Sequence, residues 1–231
     1  MKCIGTISRY FYGPLYKSSY IKESSLNLAK ESDIVLFSLP ITKDEEIIDE
    51  LLLKLDGLFI SGDEEVNPFL FGQDPIGNRG KFDLLQDDVE LIYIERAIKN
   101  NIPLLVTGRG ALLLNIYFGG NLYRDLEKEL GQEVYHKGEE ESTFHFVELE
   151  KSFLKDVFKE EKVVVPSNHR QGIKVLGSGV KVTGKSLDGL AEVIQPSGDE
   201  KFLGLQFNLE DMEMESGVKI LKSFFEGGQN E

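Results

Sequence analysis

The sequence predicts an α/β fold in which a mostly parallel central sheet is flanked by helices. In the first half of the chain, short apolar runs alternate with segments of helical periodicity, and this βαβα order is typical of parallel sheets. After Gly119-Gly120 the pattern changes to short strands joined by turns. That change predicts some antiparallel strands in the C-terminal half.

In the first half, apolar runs predict the strands, and apolar spacings of three and four residues predict the helices. The predicted strands are Cys3–Ile7, Ile34–Leu39, Leu58–Ile60 and Ile102–Val106. The predicted helices are 18–30, 44–54, 83–100 and a fourth that starts at Ala111. A loop rich in Gly, Pro and Asn, Ser61–Gly80, separates the third strand from the third helix.

The second half is predicted to contain five short strands and a final helix. The strands are Thr143–Leu149, Lys162–Val165, Gly179–Val182, Leu190–Ile194 and Phe202–Phe207. An amphipathic pattern predicts a helix at 211–225, and the acidic run 139–141 is interpreted as a solvated loop. No segment has the composition of a linker, so residues 1–231 are predicted to form one domain.

Composition limits the classes of partner. Hydrophobic residues make up 41% and charged residues 29% of the chain, which is typical of a soluble globular protein. The net charge of −14 argues against nucleic acid and anionic lipid surfaces, and no apolar run is long enough for a membrane span. The N-terminus enters a strand without an export leader, which predicts a cytoplasmic protein. With Cys3 as the single cysteine, neither a disulfide framework nor a cysteine-based zinc site is expected.

The segment Pro103–Gly110 has the pattern of a nucleophile elbow without a nucleophile. Its strand turns through glycines directly into a helix, and enzymes place Ser or Cys at such a corner because the helix N-terminus stabilises an oxyanion. Here the corner residue is Gly108. These residues alone fit either an ordinary strand–helix turn or a degenerate active site.

Ligands of open parallel sheets bind at the carboxyl ends of the strands. Three predicted loops meet this condition: Ser61–Glu65, Gly108–Gly110 and Asn208–Glu210. We therefore expect the functional site where these loops converge.

At these loops the chain resembles the class I glutamine amidotransferase-like superfamily. Within it, the resemblance is to the γ-glutamyl hydrolase branch, the peptidase C26 group that includes γ-glutamyl-γ-aminobutyrate hydrolase. Segment 56–62 resembles D-G-hydrophobic-S-G-G-G, 66–72 resembles V-N-P-x-L-Y-G, 103–110 resembles P-x-L-G-I-C-R-G, 167–171 resembles S-x-H-H-Q, 186–192 resembles S-x-D-G-x-x-E, and 203–210 resembles L-G-V-Q-x-H-P-E. The resemblance runs nearly end to end and implies a flavodoxin-like fold.

The chemistry that the resemblance implies is attack by a cysteine thiolate on a γ-glutamyl amide, assisted by histidine and glutamate. Gly108 occupies the cysteine position and Asn208 the histidine position, so only Glu210 keeps its place in the triad. We therefore predict a catalytically inactive member without a cofactor. The predicted residues of the pocket and oxyanion region are Gly62, Asp63, Arg109, Gly110, His169 and Gln171.

Three functional hypotheses remain open at this point. The first is a binding or regulatory protein whose ligand is a small molecule (an amine or γ-glutamyl-like compound) or a protein partner. The second is a hydrolase or an amine- or cation-binding enzyme with a rebuilt acidic site of Asp63, Glu64, Glu65, Glu210 and His169. The third is a structural partner subunit that binds no ligand. The oligomeric state is left open.

The loop Asp63–Glu65 also allows two interpretations. Its carboxylates either repel an oxyanion and an anionic substrate or point to solvent and leave the backbone intact. For His169, a hydrogen bond to a neighbouring carbonyl is favoured over a role as base. Because His136 and His145 have no His-x-x-x-His spacing and no cysteine nearby, no metal site is expected.

Overall fold

The computed structural model describes residues 1–75, 82–131, 133–138 and 142–227. The strands are β1 (Lys2–Ile7), β2 (Arg9–Tyr12), β3 (Lys17–Tyr20), β4 (Ile34–Leu39), β5 (Gly57–Ile60), β6 (Leu104–Thr107), β7 (Asn121–Tyr123), β8 (Thr143–Leu149), β9 (Lys162–Ser167), β10 (Gly172–Val175), β11 (Val180–Ser186), β12 (Ala191–Pro196) and β13 (Phe202–Leu205). The helices are α1 (Glu23–Glu31), α2 (Glu45–Leu52), α3 (Leu84–Lys99), α4 (Arg109–Tyr117), α5 (Leu126–Glu129), α6 (Phe153–Phe158) and α7 (Met214–Gly227). Two short 3-10 turns lie at Pro68–Phe71 and Leu209–Asp211.

Nine strands form one sheet in the order β4-β1-β5-β6-β13-β12-β11-β8-β9. The strands from β4 to β13 in this order are mutually parallel, and the pairs from β13 to β9 are antiparallel. The predicted α/β fold, with its parallel centre and its antiparallel strands in the C-terminal half, is confirmed. The three loops of the predicted site follow β5, β6 and β13, which are neighbours in the sheet.

Alternate residues of the central strands pack on opposite faces of the sheet. In β5, Leu58 and Ile60 join the core formed with α2, α3 and α4, whereas Phe59 joins the core formed with α1, α6 and α7. In β6, Leu105 faces the second core in the same way. This alternation is the geometric consequence of an extended strand covered by helices on both sides.

Some predicted boundaries are wrong. The predicted helix 18–30 starts too early, because Lys17–Tyr20 forms a hairpin with Arg9–Tyr12 and α1 begins only at Glu23. The final helix begins at Met214 rather than at 211, after the 3-10 turn Leu209–Asp211. Two predictions fall on residues outside the described part of the chain: the acidic loop 139–141 and the end of the predicted loop Ser61–Gly80.

Within the described ranges, no helix has the length and apolarity needed to cross a bilayer.

Candidate functional site

The elbow has the backbone geometry that its sequence predicts. β6 ends at Thr107 and α4 begins at Arg109, with Gly108 between them at φ +56° and ψ −123°. Residues other than glycine rarely adopt this left-handed backbone conformation. In an elbow, the residue held in it projects its side chain from a sharp strand–helix corner. The turn of the elbow is therefore present at Gly108.

The space that a side chain would need at this corner is filled. A Cβ built on Gly108 would overlap the Gly62 carbonyl oxygen and lie 2.5 Å from Asn208 Oδ1. The same Gly62 oxygen accepts a hydrogen bond from the Arg109 backbone N–H at 3.0 Å. Because the amide after the nucleophile is the donor that an elbow offers to an oxyanion, this donor is already engaged.

Asn208 and Glu210, at the other two predicted triad positions, are held by side-chain hydrogen bonds. Asn208 Nδ2 donates to Asp63 Oδ1 and, at 3.4 Å, to Asp211 Oδ2. Glu210 Oε1 accepts hydrogen bonds from Ser25 Oγ at 2.8 Å and from Ser61 Oγ at 2.5 Å. A carboxamide has no nitrogen lone pair that takes up a proton near neutral pH, so Asn208 offers no general base.

Each carboxylate of the loop Asp63–Glu65 has its own cationic partner. Asp63 pairs with Lys22, and Glu64 pairs with Arg9 at 2.5 Å. Glu65 binds Arg170 through two hydrogen bonds, of 2.6 Å from Nε and 2.5 Å from the guanidinium NH2. The side chains of Asp63 and Glu64 are still 41% and 37% exposed, so the loop combines ion pairing with contact to solvent.

Four of the five residues of the predicted acidic constellation, Asp63, Glu64, Glu65 and His169, line the same cleft, but each loop carboxylate is paired with a cation from a different segment of the chain. Burial lowers the pKa of Lys22, whereas the carboxylates of Asp63 and Glu210 raise it. The combined effect of the two carboxylates is larger, so the net pKa shift is upward. Lys22 therefore stays protonated beside Asp63 at neutral pH, and the two side chains form an ion pair.

Arg109 is buried in an ion network below the elbow. Its guanidinium contacts Asp87 and, at 3.1 Å, Glu90, and all three side chains are at most 2% exposed. Arg9 reaches the same Glu90 at 3.2 Å. Gln86 Nε2 donates to Glu90 at 2.8 Å. The network anchors the start of α4, and with it the elbow, to α3.

Gly62 and Gly110 are glycines because of close approaches in this region. A Cβ on Gly62 would overlap the Arg9 guanidinium and lie 2.8 Å from Arg109 Cδ. A Cβ on Gly110 would lie 3.0 Å from Val106 Cβ. Both positions therefore serve the packing of the loop and the helix start against each other.

Burial raises the pKa of Asp87 to about 6, although Arg109 and a backbone hydrogen bond from Asn67 oppose the shift. The ordinary value is 3.8, so between about pH 4 and pH 6 the folded chain binds a proton that the unfolded chain has released. This carboxyl group therefore favours folding less as the pH rises through that window.

We expect Asp87→Asn to remove this contribution, so that the free energy of unfolding falls less from about pH 4 to pH 6 in the variant than in the unmodified chain. Urea unfolding at several pH values across the window measures the difference in slope. Parallel curves for the two proteins would contradict the prediction.

The cleft between Asp63, Gly108 and Asn208 is small, with a volume of about 40 Å³. Such a space admits a few water molecules. Gln171 closes one side of it by bonding both backbone groups of Val66, accepting from N–H at 2.7 Å and donating to C=O at 2.9 Å. Gln171 thus holds the acidic loop in place.

His169 lines this cleft, but its ring nitrogens are directed elsewhere. Nδ1 donates to the Gln171 carbonyl at 2.9 Å, in agreement with the prediction of a carbonyl contact, and Nε2 lies 3.7 Å from Glu192 Oε1. Burial lowers the pKa of His169 to about 3, with the neighbouring His136 adding to the shift. His169 is therefore neutral at physiological pH.

The structure also brings together residues that the sequence analysis left apart. His136, His145 and His169 lie with Glu192 so that one nitrogen or oxygen from each falls within 4.8 Å of all the others. The expectation of no metal site rested on local spacing, which cannot detect ligands contributed by separate strands and loops. We call these four residues the histidine cluster.

Comparison with known proteins identifies the family. The sequence model of peptidase C26 matches residues 12–210, which is most of the chain. The chain belongs to the peptidase C26 family. A glutamine amidotransferase-like protein of Lactococcus lactis, YvdE, is 33% identical over 84% of this chain and 82% of its own length. The γ-glutamyl-γ-aminobutyrate hydrolase of Escherichia coli O157:H7 is 28% identical over 82% of this chain and 78% of its own length.

A solved structure supports the fold of this peptidase C26 member. The glutaminase domain of Trypanosoma brucei CTPS with bound acivicin has a TM-score of 0.66 and 14% sequence identity, covering 97% of this chain and 92% of that one. At this identity the likeness concerns the fold alone. It agrees with the α/β fold described above.

Proposed function

We propose that this peptidase C26 member does not hydrolyse γ-glutamyl amides and acts instead as a binding or regulatory protein. The observation that carries the proposal is the filled nucleophile position, where the Gly62 carbonyl oxygen and the Asn208 amide occupy the space next to Gly108. A thiol-dependent amidase needs a side chain there and a free oxyanion donor beside it. This chain supplies neither.

The base position supports the same proposal. Asn208 is engaged with Asp63, and its amide cannot accept the proton that a nucleophile releases. Loss of the nucleophile alone from such a triad lowers kcat by roughly 10⁶. With the base also replaced and the oxyanion donor engaged, no route to efficient amide hydrolysis through these positions remains.

Binding of a γ-glutamyl-like or amine ligand at this edge would require the loop Gly62–Glu65 to move. In the closed cleft the carboxylates that would attract an amine are paired with Lys22, Arg9 and Arg170. A rebuilt acidic enzyme site is the weaker candidate for the same reason, because its carboxylates are distributed among separate cations.

The test is an assay of the purified chain with γ-glutamyl amides and with glutamine. We expect no product above the buffer control. Turnover well above background that disappears in Glu210→Ala or Asp63→Ala would overturn the proposal. Gly108→Cys combined with Asn208→His serves as a second variant, and we expect no turnover from it, because a Cβ at position 108 would overlap the Gly62 carbonyl oxygen.

Thermal unfolding with added ligands separates the two binding hypotheses. A ligand that binds only the folded state raises Tm once its concentration passes Kd. A rise with glutamate or a γ-glutamyl amide supports a retained ligand site, whereas a rise with polyamine or Mg²⁺ alone favours the rebuilt acidic site. The acidic loop variant Asp63→Asn should abolish the second effect.

A further inference from the structure

The histidine cluster contains every histidine of the chain. The sequence has three histidines, and His136, His145 and His169 are those three. They come from the segment 133–138, from β8 and from the turn after β9, and Glu192 joins them from β12. The side chains of all four are nearly buried, from 0% exposure for Glu192 to 11% for His169.

The outward nitrogen of each ring has a hydrogen-bond acceptor. His136 Nε2 donates to Asp188 Oδ2 at 2.9 Å, His169 Nδ1 donates to the Gln171 carbonyl at 2.9 Å, and His145 Nδ1 donates to the Phe146 carbonyl at 3.2 Å. Because carbonyl and carboxylate oxygens accept, these nitrogens carry the protons. In the tautomer that these hydrogen bonds select, the other nitrogen of each ring presents a lone pair.

These three nitrogens lie close to the same carboxylate oxygen. Glu192 Oε1 lies 3.5 Å from His136 Nδ1, 3.7 Å from His145 Nε2 and 3.7 Å from His169 Nε2. None of these atoms has a hydrogen-bond partner among the described residues, and neither has Glu192 Oε2. A single proton on Glu192 could satisfy only one of the three nitrogens. Buried acceptors that converge without a donor are a costly arrangement unless a cation lies between them.

We propose that the histidine cluster is a binding site for one divalent transition-metal ion of the Zn²⁺ class. Imidazole nitrogen and carboxylate oxygen are ligands that Zn²⁺ accepts at about 2.0–2.2 Å. A tetrahedron of that size has edges of about 3.3–3.6 Å, close to the three nitrogen–oxygen separations observed here.

The surroundings of the ligands match those of metal-binding histidines. The ring nitrogen that does not bind the metal donates its N–H to a carboxylate or a backbone carbonyl, which fixes the orientation of the ring and its tautomer. Asp188 provides the carboxylate for His136 and is itself held by Ser186 Oγ at 2.6 Å and by the Leu190 N–H at 3.3 Å.

Four protein ligands leave no open position on a tetrahedral ion, which is typical of structural rather than catalytic sites. The ion would tie the segment 133–138 to β8 and β12, and it would fix the turn that carries Arg170, the partner of Glu65. The site uses neither Gly108 nor Asn208, so it stands independently of the proposed loss of hydrolysis.

The test uses the full chain with any affinity-tag histidines removed. After incubation with Zn²⁺ and desalting, elemental analysis is expected to find about one Zn²⁺ per chain, the stoichiometry of a single four-ligand site. Thermal unfolding should shift upward with Zn²⁺, and at a free concentration a hundredfold above Kd the ratio of folded to unfolded chain rises about 100-fold.

Glu192→Gln and His145→Gln are expected to weaken Zn²⁺ binding at least about tenfold, since each removes one ligand. Glu148→Gln is the matched control, because this exposed carboxylate lies on β8 outside the cluster, and it should bind Zn²⁺ like the unmodified chain. A Zn²⁺ content well below one ion per unmodified chain, or equal Zn²⁺ binding by all three variants, would overturn the proposal.

Should the ligand variants fail to fold, the unmodified chain loaded with Co²⁺ decides the question. The strong visible absorption of tetrahedral Co²⁺ is expected. The weak absorption of octahedral Co²⁺, or none, would overturn the proposed four-ligand geometry.

Discussion

Replacing Arg109 with methionine is expected to lower the free energy of unfolding by about 3–5 kcal/mol, the range for removing one member of a buried ion pair. Asp87 and Glu90, which it contacts, are 0% and 1% exposed, so water cannot replace the lost guanidinium. Methionine retains much of the apolar packing of the arginine stem, and the loss therefore reports on the charges. Urea unfolding at neutral pH, followed by circular dichroism, measures it.

Arg96→Met is the matched control for Arg109. Arg96 also bridges two carboxylates, Asp49 and Glu45, but it does so at the surface between α2 and α3. We expect a much smaller loss, because exposed ion pairs contribute little. Adding Asp87→Asn to Arg109→Met should restore part of the stability by removing the unpaired charge. Equal losses for Arg96→Met and Arg109→Met would refute the importance of burial.

Gly108→Ala is expected to destabilise the chain by about 2–6 kcal/mol, from backbone strain of about 1–3 kcal/mol together with overpacking of similar size. The strain arises because φ is +56°, and the overpacking arises because Cβ would meet the Gly62 carbonyl and Asn208 Oδ1. A methyl group at this corner therefore requires the loop after β5 to shift. Equilibrium unfolding in urea gives the loss directly.

Gly119→Ala separates the two causes. Gly119 also has a positive φ, of +81°, but a Cβ there would meet no atom within 4 Å. We expect this control to show the strain alone, so that its loss is smaller than that of Gly108→Ala. Asn208→Ala in the Gly108→Ala background should recover part of the difference. If Gly119→Ala lowers the free energy of unfolding as much as Gly108→Ala does, then the lack of space beside Gly108 does not contribute to the destabilisation.

Most of the fold could be predicted because its signals are local. Apolar runs such as Ile34–Leu39 and Thr143–Leu149 coincide with β4 and β8, and the glycines of the elbow mark the turn between β6 and α4. The predicted helix 18–30 was wrong at its start because β3 gains its order from pairing with β2. That pairing has no signature in the helical periodicity of the residues themselves.

The location of the candidate site also followed from the sequence, since the loops after β5, β6 and β13 were placed together by the general geometry of parallel sheets. The contacts made by the side chains of these loops could not be predicted from the sequence. The partners of the acidic loop lie far away in sequence, as with Glu65 and Arg170, and only the folded chain brings each carboxylate to its cation. The small volume of the cleft is a consequence of these long-range contacts.

The sequence by itself determined the α/β fold and the strand–helix turn at Gly108, and the family resemblance predicts the replacement of two triad residues, because periodicity and residue identity are local properties. The tertiary structure decided that the Gly62 carbonyl fills the space beside Gly108 and that three separated histidines converge on Glu192. These contacts depend on the order of strands in the sheet and on the path of the loops. Such long-range geometry sets the distances between side chains, and those distances determine which chemistry the chain can perform.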